Sequence, residues 1–151
     1  MRIKFVVIFF AVCFLGFTPK PKANELDNAA ACSGVLLGNA SIDYSLGDEA
    51  SFNDGVTLAI TAYLSEVLER SSAEEDIAIA DQILATNTDK IINAANTETF
   101  DANVYEEVVQ CYRRVASLLL KNQKIIEQNS DKIDLLITQR IKLLKRILSA
   151  G

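Results

Sequence analysis

The near absence of proline is the feature that most constrains the fold of this chain. Both prolines, Pro19 and Pro21, lie close to the start, so none interrupts residues 24–151. Proline is the residue that most strongly breaks a helix, and no long run alternates apolar and polar residues as a half-buried strand would. Apolar residues recur instead at helical spacing. The sequence therefore predicts an all-α fold, a small antiparallel bundle of four to five helices.

The first 23 residues have the pattern of a secretory signal peptide. Arg2 and Lys4 precede an apolar run, residues 5–17, and a short stretch of proline and lysine follows. The run is shorter than the about 20 residues that a membrane-spanning helix needs. We therefore predict export to a periplasm or to the cell exterior. An uncleaved anchor and lipidation at Cys13 are the alternatives.

The charge balance and the missing residue types limit the function classes that we expect. The chain has 15 basic and 20 acidic residues, and four of the basic ones belong to the predicted signal, which leaves a net charge of −9. Nucleic acids need clusters of Lys and Arg, so we expect no nucleic-acid partner. The absence of histidine removes imidazole metal ligands and the Ser-His and Cys-His pairs of many enzymes. We therefore expect no enzymatic activity, no cofactor, no metal and no small-molecule ligand.

Two cysteines follow the predicted signal, Cys32 and Cys111. In an oxidising compartment, two thiols most simply form one disulfide. The loop that it closes would hold about 80 residues, for which the chain-entropy model gives roughly 4 kcal/mol of stabilisation. A redox-active pair is the alternative, but redox thiols usually lie close in sequence, as in C-x-x-C. We predict a structural bridge that ties the first helix to the fourth.

Local patterns predict four helices in the acidic part of the chain, residues 24–130. The first covers residues 26–45. In it Ala30, Gly34 and Gly38 recur every four residues, a spacing that lets another helix approach closely. The fourth begins near residue 101 and carries Cys111 on its apolar face.

Serine-based caps and a polar interruption mark the boundaries of the two middle helices. Ser51 begins a capping box before the second helix, which we place at residues 52–70, and Ser72 begins another before the third. Asn87 and Thr88 compete for backbone hydrogen bonds, so we expect them to break the third helix near its middle.

The last segment, residues 131–151, differs from the rest because it is basic and amphipathic. It carries five basic and two acidic residues, and its apolar residues fall in one broad sector of a helix into which only Arg140 intrudes among the basic residues. Three interpretations stay open. The segment is the last helix of the bundle with its apolar face in the core, a coiled-coil or subunit-docking helix, or a membrane-surface helix that lacks an aromatic anchor.

These patterns favour a non-enzymatic protein-interaction or structural subunit whose contact element is the C-terminal helix. Its partner would be another protein or a second copy of the chain. A charged side chain such as that of Arg140 among apolar contacts requires an oppositely charged or hydrogen-bonding group opposite it. Such a requirement fixes the register in which two helices pair. The predicted contact residues are Ile133, Leu136, Ile137, Arg140, Leu143, Leu144 and Ile147.

Two alternative functions follow from the same features. Twenty carboxylates without histidine would make the exported protein strongly positive in acid, which indicates an acid-conditional periplasmic chaperone. In size, compartment and helical class the chain resembles bacterial periplasmic acid-stress chaperones, with which it shares no motif. The basic amphipathic tail indicates, as the other alternative, an envelope protein that associates with the membrane surface.

Overall fold

The computed structural model describes residues 25–70 and 72–150; the predicted signal peptide, residues 1–23, lies outside the described residues. The helices are α1 (Glu25–Ser45), α2 (Glu49–Glu69), α3 (Glu74–Asn96), α4 (Ala102–Lys121), α5 (Gln123–Gln128) and α6 (Ser130–Ser149). No strand occurs in the described ranges, and the predicted all-α bundle is confirmed. None of the described helices combines the length and the hydropathy that crossing a membrane requires.

Helix α1 lies at the centre of the bundle, where α2, α3 and α4 pack around it. It runs antiparallel to α2, since Ser33 Oγ donates a hydrogen bond to the Ala59 carbonyl at 2.8 Å while Ala40, further along α1, contacts Gly55. Helix α4 is also antiparallel to α1. Its end approaches the start of α1, where Lys121 Nζ lies 2.6 Å from a Glu25 oxygen. Up-and-down connections therefore account for the first four helices.

Helix α3 runs parallel to α1 and packs directly on its small residues. A Cβ atom added to Gly34 would overlap the Leu84 carbonyl oxygen, and one added to Gly38 would lie 2.6 Å from the Ile91 Cβ. Thr88 Oγ1 also donates a hydrogen bond to the Gly34 carbonyl at 3.1 Å. The close approach of another helix that the four-residue spacing predicts is therefore observed.

The predicted break of the third helix is wrong, because α3 continues without interruption through Asn87 and Thr88. Asn87 Nδ2 donates to the Ile83 carbonyl at 2.8 Å, and Thr88 Oγ1 donates to the Leu84 carbonyl at 2.9 Å. Both side chains therefore bond to the carbonyl four residues earlier, which polar side chains can do inside a helix without ending it.

Both predicted serine caps are corrected by the structure. Helix α2 begins at Glu49, three residues earlier than predicted, because Asp48 Oδ1 accepts the Ser51 amide at 3.0 Å and is the N-cap. Ser51 is therefore the donor, not the cap. Helix α3 has Ala73 as its N-cap residue, without a side-chain cap bond. The acidic first turn of α3, from Glu74 to Asp76, still complements the positive end of the helix dipole.

The chain bends at Asn122 and Asn129, the single residues that separate the last three helices, so that α6 runs in the opposite direction to α4. The Asn122 side chain is buried and bonds to α2, whereas Asn129 Nδ2 donates to the Ile125 carbonyl at 2.8 Å. After the second bend, α6 returns antiparallel along α2. The Lys145 ammonium lies 5.9 Å from the Phe52 ring centroid, and the Tyr44 hydroxyl lies 3.0 Å from Ser149 Oγ. Helix α6 therefore packs on the bundle with the same direction as α1 and α3.

Candidate functional site

The apolar sector of α6 is only partly covered by the bundle. One row, here called the core stripe, packs against the core and consists of Ile133, Ile137, Ile141, Leu144 and Leu148. A second row, here called the outer stripe, consists of Leu136, Arg140, Leu143 and Ile147. Its members follow at three- and four-residue spacing, so they share one face of the helix. The exposed fraction is 45% for Leu143 and 58% for Ile147, against 2% for Ile133.

The seven contact residues predicted from sequence therefore divide into two groups. Ile133, Ile137 and Leu144 belong to the core stripe and pack within this chain. The other four are the whole of the outer stripe, and their role in binding stays a prediction. Sequence spacing placed both groups in one sector, because they lie within one broad arc of the helix.

A cleft beside the outer stripe separates α6 from α3. A cavity of about 400 Å³ lies between the two helices, with Ile77 and Asp81 on the α3 side and Leu136 and Arg140 on the α6 side. Helix α2 forms its floor. A smaller cavity of about 120 Å³ lies between the far ends of the same helices, lined by Ile92, Leu148 and residues of α1. We call the space between these helices the α3–α6 groove.

The polar centre of the groove is a hydrogen bond between α2 and α3. The Tyr63 hydroxyl donates to Asp81 Oδ1 at 2.5 Å, and Tyr63 is buried. Burial raises the pKa of Tyr63, and so does the bond to Asp81, whereas the charge of Arg140 acts in the opposite direction. The phenol therefore stays protonated around neutral pH and acts as a donor.

The two edges of the groove carry opposite charge. Among the basic residues of α6, only Lys145 forms a salt bridge to a described residue, and its partner is Glu49. Lys132 and Arg140 are exposed and make no ion pair within residues 25–70 and 72–150. On the α3 edge, Glu74 and Asp81 are exposed and seven residues apart, so they share a face of that helix. The groove therefore has a basic edge on α6 and an acidic edge on α3.

A second polar cluster, which the sequence patterns did not predict, lies near the C-terminal end of α2, one turn after Tyr63. The side chain of Glu66 is fully buried; it accepts hydrogen bonds from Asn122 Nδ2 at 2.7 Å and Arg70 Nε at 3.0 Å, and Lys121 Nζ lies 3.5 Å away. Burial alone would raise the pKa of Glu66, but these hydrogen bonds and the positive charge of Lys121 outweigh it and lower the pKa. A carboxylate three residues after Tyr63, on the same apolar face, was the available signal.

The predicted disulfide is confirmed in the core between α1 and α4. The sulfur atoms of Cys32 and Cys111 lie 2.14 Å apart, and both residues are buried. The bond joins two helices that also pack directly on one another. The low exposure of both residues favours a structural disulfide over a redox-active thiol pair.

The described residues form a surface groove whose lining is mostly apolar. In this part of the chain no group of three or more His, Cys, Asp and Glu residues is placed to hold a metal ion. The groove instead combines apolar walls with a hydrogen-bonded Tyr63–Asp81 pair and two charged edges. No protein-family model matches the chain, and neither any curated protein nor any solved structure does.

Proposed function

We propose that this protein is an exported, non-enzymatic interaction subunit that binds a protein partner in the α3–α6 groove. The observation that carries the proposal is the outer stripe. Leu143 and Ile147 are large, exposed and one turn apart on a helix whose other apolar row is in the core. Contiguous exposed apolar surface with a polar rim is typical of binding sites. The Cys32–Cys111 bond supports the export part, since structural disulfides persist in oxidising compartments.

The shape and charge of the groove favour a protein over a membrane as the partner. Apolar side chains from three helices form a concave surface, as in grooves that bind a helix. Glu74 and Asp81 on the α3 edge would repel the anionic headgroups that a basic amphipathic helix needs. Residues 131–151 contain no Trp or Phe, which are common anchors at a membrane interface.

Photo-crosslinking from two positions on α6 tests this proposal. A photoreactive amino acid at Ile147, in the outer stripe, is expected to give specific protein adducts in the cells that produce the protein. The matched control is Leu135, which lies on the same helix outside both stripes and is 57% exposed, against 58% for Ile147. It should give few adducts. Leu143→Lys should remove the adducts from position 147 by placing a charge in the contact.

The proposal fails if positions 135 and 147 give the same products, because exposure alone would then explain the crosslinks. It also fails if neither position gives an adduct while the protein is present and folded. Circular dichroism of Leu143→Lys is the control for folding. Leu143 is already 45% exposed, so its replacement should leave the helix content unchanged.

An acid-conditional chaperone is the second candidate, and the Glu66 cluster favours it. The pKa of Glu66 is lower in the folded protein than its ordinary value of 4.5. Glu66 therefore contributes stability above the pKa of the unfolded state, and this contribution is lost as pH falls through the folded pKa. Acid would loosen the junction of α2 with α4 and expose apolar surface there.

The test of this second candidate compares the wild type with Glu66→Gln. We expect the urea midpoint of the wild type to fall strongly between pH 7 and pH 3, and that of the variant to start lower and fall less. Light scattering of an unrelated, acid-unfolded protein at pH 2–3 then measures chaperone activity. Undiminished aggregation of that client, with this protein present in excess, would exclude the chaperone function.

A further inference from the structure

The groove can be assigned an occupant from its own charges. We infer that the partner in the α3–α6 groove is a second copy of this chain, bound as a symmetric dimer. The inference rests on the proposed function and names its partner. It starts from the charges of the two edges of the groove. The α6 edge is basic and the α3 edge is acidic, so one surface carries both a positive and a negative row that can pair with each other on two copies.

The directions of the two helices allow a dimer that uses both edges. Helices α3 and α6 run in parallel, since Ile77 and Leu136 line one cavity while Ile92 and Leu148, near the helix ends, line the other. Consider a two-fold axis that lies in the dimer interface and runs parallel to the groove. Rotation about it leaves the position of each residue along the groove unchanged and exchanges the α3 edge with the α6 edge. The α6 edge of one copy then faces the α3 edge of the partner, as an isologous interface requires.

The levels of the charged residues agree with this symmetry. Arg140 and Asp81 line the same cavity, so they lie at the same level along the groove. The two-fold axis therefore places Arg140 opposite the partner subunit's Asp81. About two turns earlier on each helix, Lys132 comes opposite the partner subunit's Glu74. Arg140, which makes no ion pair within the described part of its own chain, thereby gains a carboxylate partner.

Other occupants match only half of this surface. An acidic helix from another protein would suit Arg140 and Lys132 but would face Glu74 and Asp81 with like charge. A second copy satisfies both edges and at the same time covers the apolar members of the outer stripe, Leu136, Leu143 and Ile147, on both subunits. Like charges across an interface suppress wrong partners, so the mixed edges select for self-association.

The test uses two charge-reversed variants and their mixture. One variant reverses the α6 edge (Lys132→Glu with Arg140→Glu), and the other reverses the α3 edge (Glu74→Lys with Asp81→Lys). Multi-angle light scattering measures the mass of each protein in solution. At a protein concentration on the order of 100 μM, a dimer with a micromolar dissociation constant would be almost fully formed, so the wild type should show twice the monomer mass. Each variant alone should be a monomer because it faces like charge in both contacts. An equimolar mixture should regain the doubled mass, since both contacts become attractive.

A monomeric wild type would overturn the inference, and so would variants that still dimerise alone or a mixture that stays monomeric. Circular dichroism checks the fold of each variant. If loss of the Tyr63–Asp81 bond reduces helix content, Glu74→Lys alone replaces the second variant and should weaken dimerisation by a smaller factor. A monomeric wild type that crosslinks another protein from position 147 refutes the dimer and keeps the proposed function. A monomer without adducts refutes both.

Discussion

Replacement of both Cys32 and Cys111 by serine is expected to lower the free energy of unfolding by about 4 kcal/mol. The bond joins residues 79 positions apart, so without it the unfolded chain gains the entropy of a long loop. Stabilities of single domains lie at about 5–15 kcal/mol, so this loss is a large share of the total. Urea unfolding followed by circular dichroism, on the oxidised wild type and the double variant, measures the difference.

The reduced wild type is the control for this prediction. It keeps the sulfur atoms in the core and lacks only the covalent bond, so it should lose most of the same free energy as the double variant. If the oxidised and reduced proteins unfold at the same urea concentration, the loop does not stabilise the fold and the prediction is wrong.

The second large effect is expected at Gly34, where Gly34→Ala should destabilise the protein by about 2–3 kcal/mol. At an exposed helix position the same change would stabilise a protein by about 1 kcal/mol, because alanine has the higher helix propensity. Here the sign reverses, since the new Cβ would overlap the Leu84 carbonyl oxygen, which belongs to the backbone. The two helices must separate, and the bond from Thr88 to the Gly34 carbonyl is weakened.

Gly47→Ala is the matched control for this effect. An added Cβ at Gly47 meets nothing within 4 Å, and the cost comes from its positive φ of 84° alone, about 1 kcal/mol. Thermal or urea unfolding of both variants separates backbone strain from loss of packing. A Gly34→Ala protein as stable as the wild type would show that α1 and α3 can move apart without cost.

The features that sequence predicted well are those set by local chemistry. The helical spacing of apolar residues and the lack of proline after Pro21 act within each segment, so the all-α class followed directly. The Cys32–Cys111 pair needed no geometry, because only two cysteines follow the predicted signal. Gly34 and Gly38 indicated close helix packing without showing which helix would approach.

The features that sequence did not predict depend on competition between neighbouring capping residues or on how the helices are placed against one another. Asp48 and Ser51 are both good capping residues, and only the turn before α2 determines that Asp48 accepts the bond. Helical periodicity placed the seven contact residues in one sector, yet the position of α6 on α2 decides which row is covered. Glu66 was missed because its partner Asn122 comes from a distant bend.

The disulfide also determines how the molecule would respond to a mechanical pull. Tension applied between the two ends of the described chain would pass from α1 to α4 through the Cys32–Cys111 bond and bypass α2 and α3. Those two helices would stay folded under force, while α6, outside the covalent loop, would peel away first. Because α6 carries the outer stripe, a partner held there would act on a helix that can extend under tension.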